Sequence, residues 1–294
     1  MLSNVQTHPL SFRAADGTPL AGTLFMPTHP ARPPVLIAGA LAVPQRFYAP
    51  FAQWLAAQGH GVLSFDVRGI GASRRPEHRR SLRGLNADLI TWAQQDFTAA
   101  VETLARQTAS PSVLVLGHSL GAHHAGMTLP GTQARIALLL SVAAGASGWR
   151  SWAAPSRRRA PWMLHVAGPL LTPLLGYFPG RRLGMVGDLP GPVMRQWSRW
   201  CRHPGFAAGA DPALVLGALH AARFPITAVS FSDDEAMTED CTQRVLASMP
   251  HAPSVLRRVR PQDLGLSSIG HLGAFRASAQ ASLWPCMAAW LSTE

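Results

Sequence analysis

Val113-Leu114-Val115-Leu116-Gly117-His118-Ser119-Leu120-Gly121-Ala122 decides the reading of the whole chain. Its four branched apolar residues predict a buried strand. A Gly-x-Ser-x-Gly pattern follows, and then a small-residue stretch from Ala122 to Met127 that predicts the start of a helix. Strand, sharp turn and helix together form a nucleophile elbow, which lifts a serine hydroxyl above a sheet edge. The helix N-terminus beneath it favours negative charge. The turn leaves no room for a Cβ on either side of the serine, which explains the flanking glycines. The pattern alone arises by chance in chains rich in Gly and Ser; the strand before it and the helix after it give it weight.

Working outward, the segments before this stretch alternate. Leu10 to Met26 reads as a hairpin around Asp16-Gly17. Val35 to Ala38 is a short buried strand, Phe47 to Gln58 a helix, Gly61 to Phe65 a strand and Asp88 to Gln107 a long amphipathic helix. After the elbow, Arg135 to Ala143 is the next strand. This βαβ rhythm predicts an α/β fold, a mostly parallel sheet with helices on both faces. The rhythm stops from about Gly145 to Asp211, where Trp, Arg, Pro and Gly recur without regular spacing. A structureless loop of that length is improbable, so helices are expected within it. Because it leaves a strand end, it is expected as a helical cap over Ser119. The rhythm resumes with helix Pro212 to Ala222, strand Ile226 to Phe231, helix Thr238 to Ser248, strand Val255 to Val259 and a last helix, Ala277 to Leu291. The expected division is therefore core 1–145, cap insertion 146–211 and core 212–294.

Composition narrows the function. The chain has 294 residues and is 47% hydrophobic and 14% charged, a globular balance with room for a large core. Net charge is +11, and every basic side chain is Arg. The arginines are scattered and no nucleic-acid-binding module is visible, so no nucleic-acid partner is expected. Cys201, Cys241 and Cys286 have neither paired nor metal-ligand spacing. They read as reduced packing residues of a cytoplasmic protein, and no metal or cofactor is expected. Met1 to Leu10 lacks a basic region followed by an apolar core, so no secretory signal is expected. The apolar run Pro161 to Gly180 contains four prolines, which argue against a spanning helix.

The chain resembles serine hydrolases of the α/β-hydrolase fold superfamily. The resemblance rests on Gly117-His118-Ser119-Leu120-Gly121, on the turn Asp66-x-Arg68-Gly69-x-Gly71-x-Ser73, on Phe231-Ser-Asp233-Asp234 and on Ile269-Gly270-His271. Four further stretches resemble a branch of bacterial hydrolases of unsettled substrate: Val43 to Tyr48, Gly176 to Gly180, Trp197 to Cys201 and Asp263 to Gly265. The resemblance covers nearly the whole chain and implies a fold and a triad, but no substrate.

Topology picks the base among twelve histidines. His251 precedes its strand and belongs to the wrong edge. His165, His203 and His220 come before the acid, and His118, His123 and His124 adjoin the elbow. His271 follows the last strand, lies near Gly270 and Gly273, and satisfies the chain order serine, acid, histidine. For the acid, the strand ending at Phe231 is followed by Asp233, Asp234 and Glu235; the family pattern implies Asp234. The oxyanion hole is expected from the backbone N–H groups of Leu120 and Ala40. Many relatives carry His-Gly where Ala38-Gly39 stands here, a departure that leaves a backbone donor intact. The Asp66–Ser73 turn is expected to be structural, with Arg68 ion-paired.

The expected activity is hydrolysis of an ester, thioester or amide through an acyl-enzyme, ester cleavage before peptide or amide cleavage. The small-molecule substrate is expected to bury an apolar acyl portion against Leu41, His118, Trp162, Tyr177, Phe178, Trp197 and Trp200. Alternatives are a non-catalytic binding or membrane-surface protein on the same fold, or an acyltransferase or perhydrolase with the same triad. Pro161 to Gly180, flanked by Arg157-Arg158-Arg159 and Arg181-Arg182, is expected to pack the cap and line the acyl pocket rather than to touch lipid.

Overall fold

The protein is described here by a computed structural model covering residues 5–185 and 187–292. The reading of Met1 to Leu10 lies partly outside the described residues. Ten strands occur among them: β1 (Val5–Arg13), β2 (Pro19–Pro27), β3 (Arg32–Ala38), β4 (His60–Asp66), β5 (Val113–His118), β6 (Ile136–Val142), β7 (Tyr177–Phe178), β8 (Leu189–Pro190), β9 (Ile226–Phe231) and β10 (Ser254–Val259). Eight form one sheet in the order β1-β2-β4-β3-β5-β6-β9-β10. The β1–β2 hairpin is antiparallel and joins β4 antiparallel; from β4 to β10 every pairing is parallel. This is the α/β-hydrolase arrangement expected from the alternating rhythm.

Strand side chains alternate faces, and the two faces build two cores. Leu36, Val113 and Val115 join one apolar cluster with Trp92, Phe97 and Leu104 from the helix over 89–107. Val35, Ile37, Leu114 and Leu116 join the other with Phe51 and Leu55 from helix Ala49–Ala57 and Trp284 and Met287 from helix Leu283–Trp290. Both faces are covered, as a parallel sheet requires. The last helix is shorter than expected. Ala277–Ala279 forms a separate turn, and the helix begins at Leu283, which places Pro285 in its first turn, where its missing N–H costs no helical hydrogen bond.

The strand β5 is flanked by β3 and β6, so Ser119 leaves the middle of the sheet. Because β3, β4, β5, β6 and β9 run parallel, the loops after them gather at one edge. The residues between β6 and β9 reach across that edge. Their helices are a continuous one over 154–175, then Gly191–Arg202, Phe206–Ala210 and Pro212–Ala221. At one end Ala153 N–H donates to Ala236 O (3.0 Å) and Ser156 N–H to Glu235 O (3.3 Å), on the loop after β9. At the other, the backbone at Gly187 packs against Ala42 after β3, and Pro190 lies near Gly69 after β4. The prolines do not break the helix over 154–175. Pro161, Pro169 and Pro173 sit inside it, and a π turn over Met163–Ala167 relaxes the ladder. Among the described residues no helix is long and apolar enough to cross a membrane.

Candidate active site

Ser119 has φ 52° and ψ −118°, a left-handed conformation that a non-glycine residue holds only under constraint. The constraint is local. Ser119 N–H donates to Val142 O (2.9 Å) on β6, and Ala122 N–H closes the turn onto Ser119 O (3.2 Å). A Cβ on Gly117 would stand 2.4 Å from Ala122 Cα, and one on Gly121 would stand 2.1 Å from Ala38 O. Strand, turn and helix pass too close for any side chain at either position.

The three residues expected to form the triad come together. Ser119 Oγ is 3.0 Å from His271 Nε2, and His271 Nδ1 is 3.0 and 3.1 Å from the two carboxylate oxygens of Asp234. A carboxylate accepts only, so His271 carries its proton on Nδ1 and Nε2 accepts from the serine. Asp234 is almost wholly buried, and its Oδ1 also accepts from Ala236 and Met237 N–H.

The neighbouring acids hold the histidine loop, a role that sequence reasoning missed. Asp233 Oδ2 accepts from Ile269 N–H (2.7 Å) and Gly270 N–H (3.1 Å). Glu235 Oε2 accepts from His271 N–H (2.9 Å). Gly270 has φ 62°, and a Cβ there would meet Glu235 Oε2 at 2.7 Å. Three consecutive carboxylates thus hold three consecutive residues, one by its ring and two by backbone alone. The only sequence signal was the Asp-Asp-Glu run itself.

His118 is not a pocket wall. It is fully buried, and both ring nitrogens are used. His271 O can only accept, so His118 Nε2–H donates to it (2.8 Å). Nδ1 must then accept from Tyr48 Oη–H (2.8 Å), which leaves Tyr48 Oη to accept from Ala40 N–H (2.8 Å). Every proton in this chain is assigned by its acceptor-only end. Burial pushes His118 down to about 3, so the ring stays neutral, and pushes the Tyr48 phenol up.

This hydrogen-bond chain engages one of the two expected oxyanion donors. The Ala40 N–H is occupied by Tyr48. Among the described residues the amide of Leu41 carries no hydrogen bond, and neither does that of Leu120 at the first position of its helix. Leu41 and Leu120 line one small cavity together with Ile70, Trp92 and His124.

Tyr177, Phe178 and Trp200 are buried, and Trp200 donates to Asp211. Trp197 packs on Trp152, and Trp162 is 51% exposed. None of these five aromatic residues lines either cavity described here, because they pack the 146–211 segment on itself or face outward. The second cavity, about 310 Å³, lies among Asp16, Arg68, Arg75, His78 and Asn86 and contains no triad residue.

The Asp66–Ser73 turn is a brace. Asp66 accepts from Gln45 N–H (2.7 Å) and Ala72 N–H (2.8 Å), anchoring the loop that carries Ala40 and Leu41. Arg68 is ion-paired with buried Asp96 (2.6 Å) and with Asp16. The three cysteines are unpaired, and among the described residues no cluster of His, Cys, Asp or Glu could hold a metal ion.

A family profile described as serine aminopeptidase, S33, matches residues 30–190, more than half of the 294. No curated protein matches the chain. Solved structures with the same fold include a hypothetical protein from Pseudomonas aeruginosa, 14% identical, covering 98% of this chain and 93% of that one, with a TM-score of 0.62. Another is the esterase domain of a Rhodothermus marinus protein, 18% identical, covering 97% of each chain, TM-score 0.59. A third is 2-hydroxy-6-oxo-6-phenylhexa-2,4-dienoate hydrolase from a Rhodococcus strain, 16% identical, covering 98% of each chain, TM-score 0.57. The profile match, with the parallel sheet and the turn at Ser119, shows that this chain belongs to the serine aminopeptidase S33 family of the α/β-hydrolase superfamily.

Proposed function

We propose that this protein is a serine hydrolase acting through an acyl-enzyme, with Ser119 as nucleophile, His271 as general base and acid, and Asp234 as the group that orients the imidazole. The observation that carries the proposal is the line Ser119 Oγ–His271 Nε2 and Nδ1–Asp234, at 3.0 Å per step, on a serine held left-handed. His271 Nε2 takes the hydroxyl proton as Ser119 Oγ attacks the substrate carbonyl carbon. The developing oxyanion accepts from the N–H groups of Leu120 and Leu41. The imidazolium, stabilised by Asp234, protonates the leaving group as its bond to the carbonyl carbon breaks. Water then attacks the acyl-enzyme by the same proton route in reverse, freeing the acid and Ser119.

Residues 146–211 act as a cap in this reading. Support comes from their contacts with the loops after β3, β4 and β9, which also carry Leu41 and Asp234. An ester substrate is placed first because structures sharing this fold include esterases, among them the esterase domain of the Rhodothermus marinus protein. The family description speaks of aminopeptidases, so a peptide-like substrate belongs in the same test. A fluorophosphonate probe should label the protein, and Ser119→Ala should lose the label. A panel of p-nitrophenyl esters of graded chain length, with a thioester and an aminoacyl p-nitroanilide, should then show turnover highest on an ester. An unlabelled, correctly folded protein refutes the proposal.

A further inference from the structure

We infer that the outer face of the helix over 154–175 is a docking surface for an anionic lipid membrane. Among the described residues seven large apolar side chains are exposed, and four of them lie on this helix: Trp162 (51%), Val166 (45%), Leu170 (64%) and Leu174 (70%). Their spacing is four residues throughout. In a plain α-helix each such step drifts about 40°, so the row would wind off the face by roughly 120°. The π turn over Met163–Ala167 takes up one extra residue and removes most of that drift. The positions between the four show the same alignment. His165, Pro169 and Pro173 are exposed beside them, and Met163, Leu164, Ala167, Gly168 and Thr172 are buried beneath. The helix therefore presents one straight apolar row to solvent.

Charge identifies the occupant. No Asp, Glu, Lys or Arg occurs from Ala160 to Gly180. Exposed Arg157, Arg158 and Arg159 stand before the row, and exposed Arg181 and Arg182 follow it. None of these five guanidinium groups is in an ion pair among the described residues, although the protein pairs Arg68, Arg74, Arg199 and Arg260 elsewhere. An apolar row between unpaired cations matches the acyl boundary and phosphate layer of an anionic bilayer. It does not match a second copy of itself, since two such faces would bring ten arginines together. Docking also places the loop that carries Asp234 beside the lipid, because Ala153 and Ser156 bond to Ala236 and Glu235.

The test is co-sedimentation with vesicles of phosphatidylcholine alone and of equimolar phosphatidylcholine and phosphatidylglycerol. Binding is expected to the anionic vesicles only, and it should weaken at high salt. Each arginine near the surface contributes about fivefold in partitioning, so Arg157→Gln/Arg158→Gln/Arg159→Gln should lower it about a hundredfold. Leu170→Glu/Leu174→Glu should abolish it while leaving the melting temperature unchanged, both side chains being exposed. Ser119→Ala should bind as the wild type does, which keeps this inference separate from the catalytic one. Absence of binding to anionic vesicles at low salt overturns it, as does binding that survives Leu170→Glu/Leu174→Glu. A dimer in light scattering that these substitutions dissolve, without vesicle binding, would assign the face to a second copy and also overturn it.

Discussion

Replacing Tyr48 by Phe tests how the oxyanion loop is held. The side chain is 1% exposed, and its hydroxyl joins Ala40 N–H to His118 Nδ1 at 2.8 Å on each side. Phe keeps the ring and its edge contacts with Phe47 and Phe275 but leaves one buried donor and one buried acceptor without partners. Each such group costs about 1–3 kcal/mol, so the variant should lose roughly 2–6 kcal/mol of stability. At about 2 °C per kcal/mol for a chain of this size, the melting temperature should fall by about 4–12 °C. The catalytic consequence separates two accounts of the oxyanion hole. If Leu41 supplies the second donor and Tyr48 pins its loop, kcat on a p-nitrophenyl ester should fall about tenfold or more, with KM little changed. If Ala40 supplies the donor and Tyr48 competes for it, the substitution releases that N–H and kcat should hold or rise. Steady-state kinetics beside a thermal melt decide the matter. An unchanged or raised kcat in the folded variant would refute the assignment to Leu41.

Other expectations follow from the same geometry. Ser119→Ala and His271→Ala should each lower kcat by up to ~10⁶, and the double variant should be scarcely worse, because the two act as one unit; additive losses in single-turnover kinetics would count against this. Asp234→Asn should lower kcat by about 10⁴ by spoiling the His271 tautomer. Asp233→Asn should instead loosen the loop at Ile269 and Gly270, showing chiefly as lost stability in a melt; the reverse pattern would move the acid to Asp233. Burial holds His118, His123 and His124 neutral, pushed down to about 3, 4 and 3. Their folded pKa values lie below the unfolded value of about 6.5, so unfolding takes up about three protons near pH 5. This contribution is fully present above about pH 6.5 and falls by roughly 4 kcal/mol per pH unit near pH 5, which urea titrations across that range would measure.

Much of the molecule is legible in local pattern. The branched run from Val113 to Leu116, the glycines at 117 and 121 and the alternation of strand and helix are short-range signals. They determine the parallel sheet, the turn at Ser119 and, through chain order, the choice of His271; the choice of Asp234 over Asp233 and Glu235 came from the family resemblance. Local pattern also foretold that Arg68 would be paired. It did not name the partners, because Asp16 and Asp96 lie 52 and 28 residues away in sequence. What tertiary structure alone decided involves groups whose role depends on what packs against them. His118 looked available to substrate because it sits inside the elbow pattern; its neighbours Tyr48 and His271 O, 70 and 153 residues distant, consume both nitrogens and the Ala40 amide with them. Asp233 and Glu235 were in sequence only two further carboxylates beside Asp234; their role depends on the loop at 269–271, which they hold. The aromatic residues of 146–211 looked like one pocket lining because composition carries no direction. Folding turned Trp200 and Phe178 inward and Trp162 out to solvent, and a single π turn, invisible in the sequence, lined Trp162 up with Val166, Leu170 and Leu174.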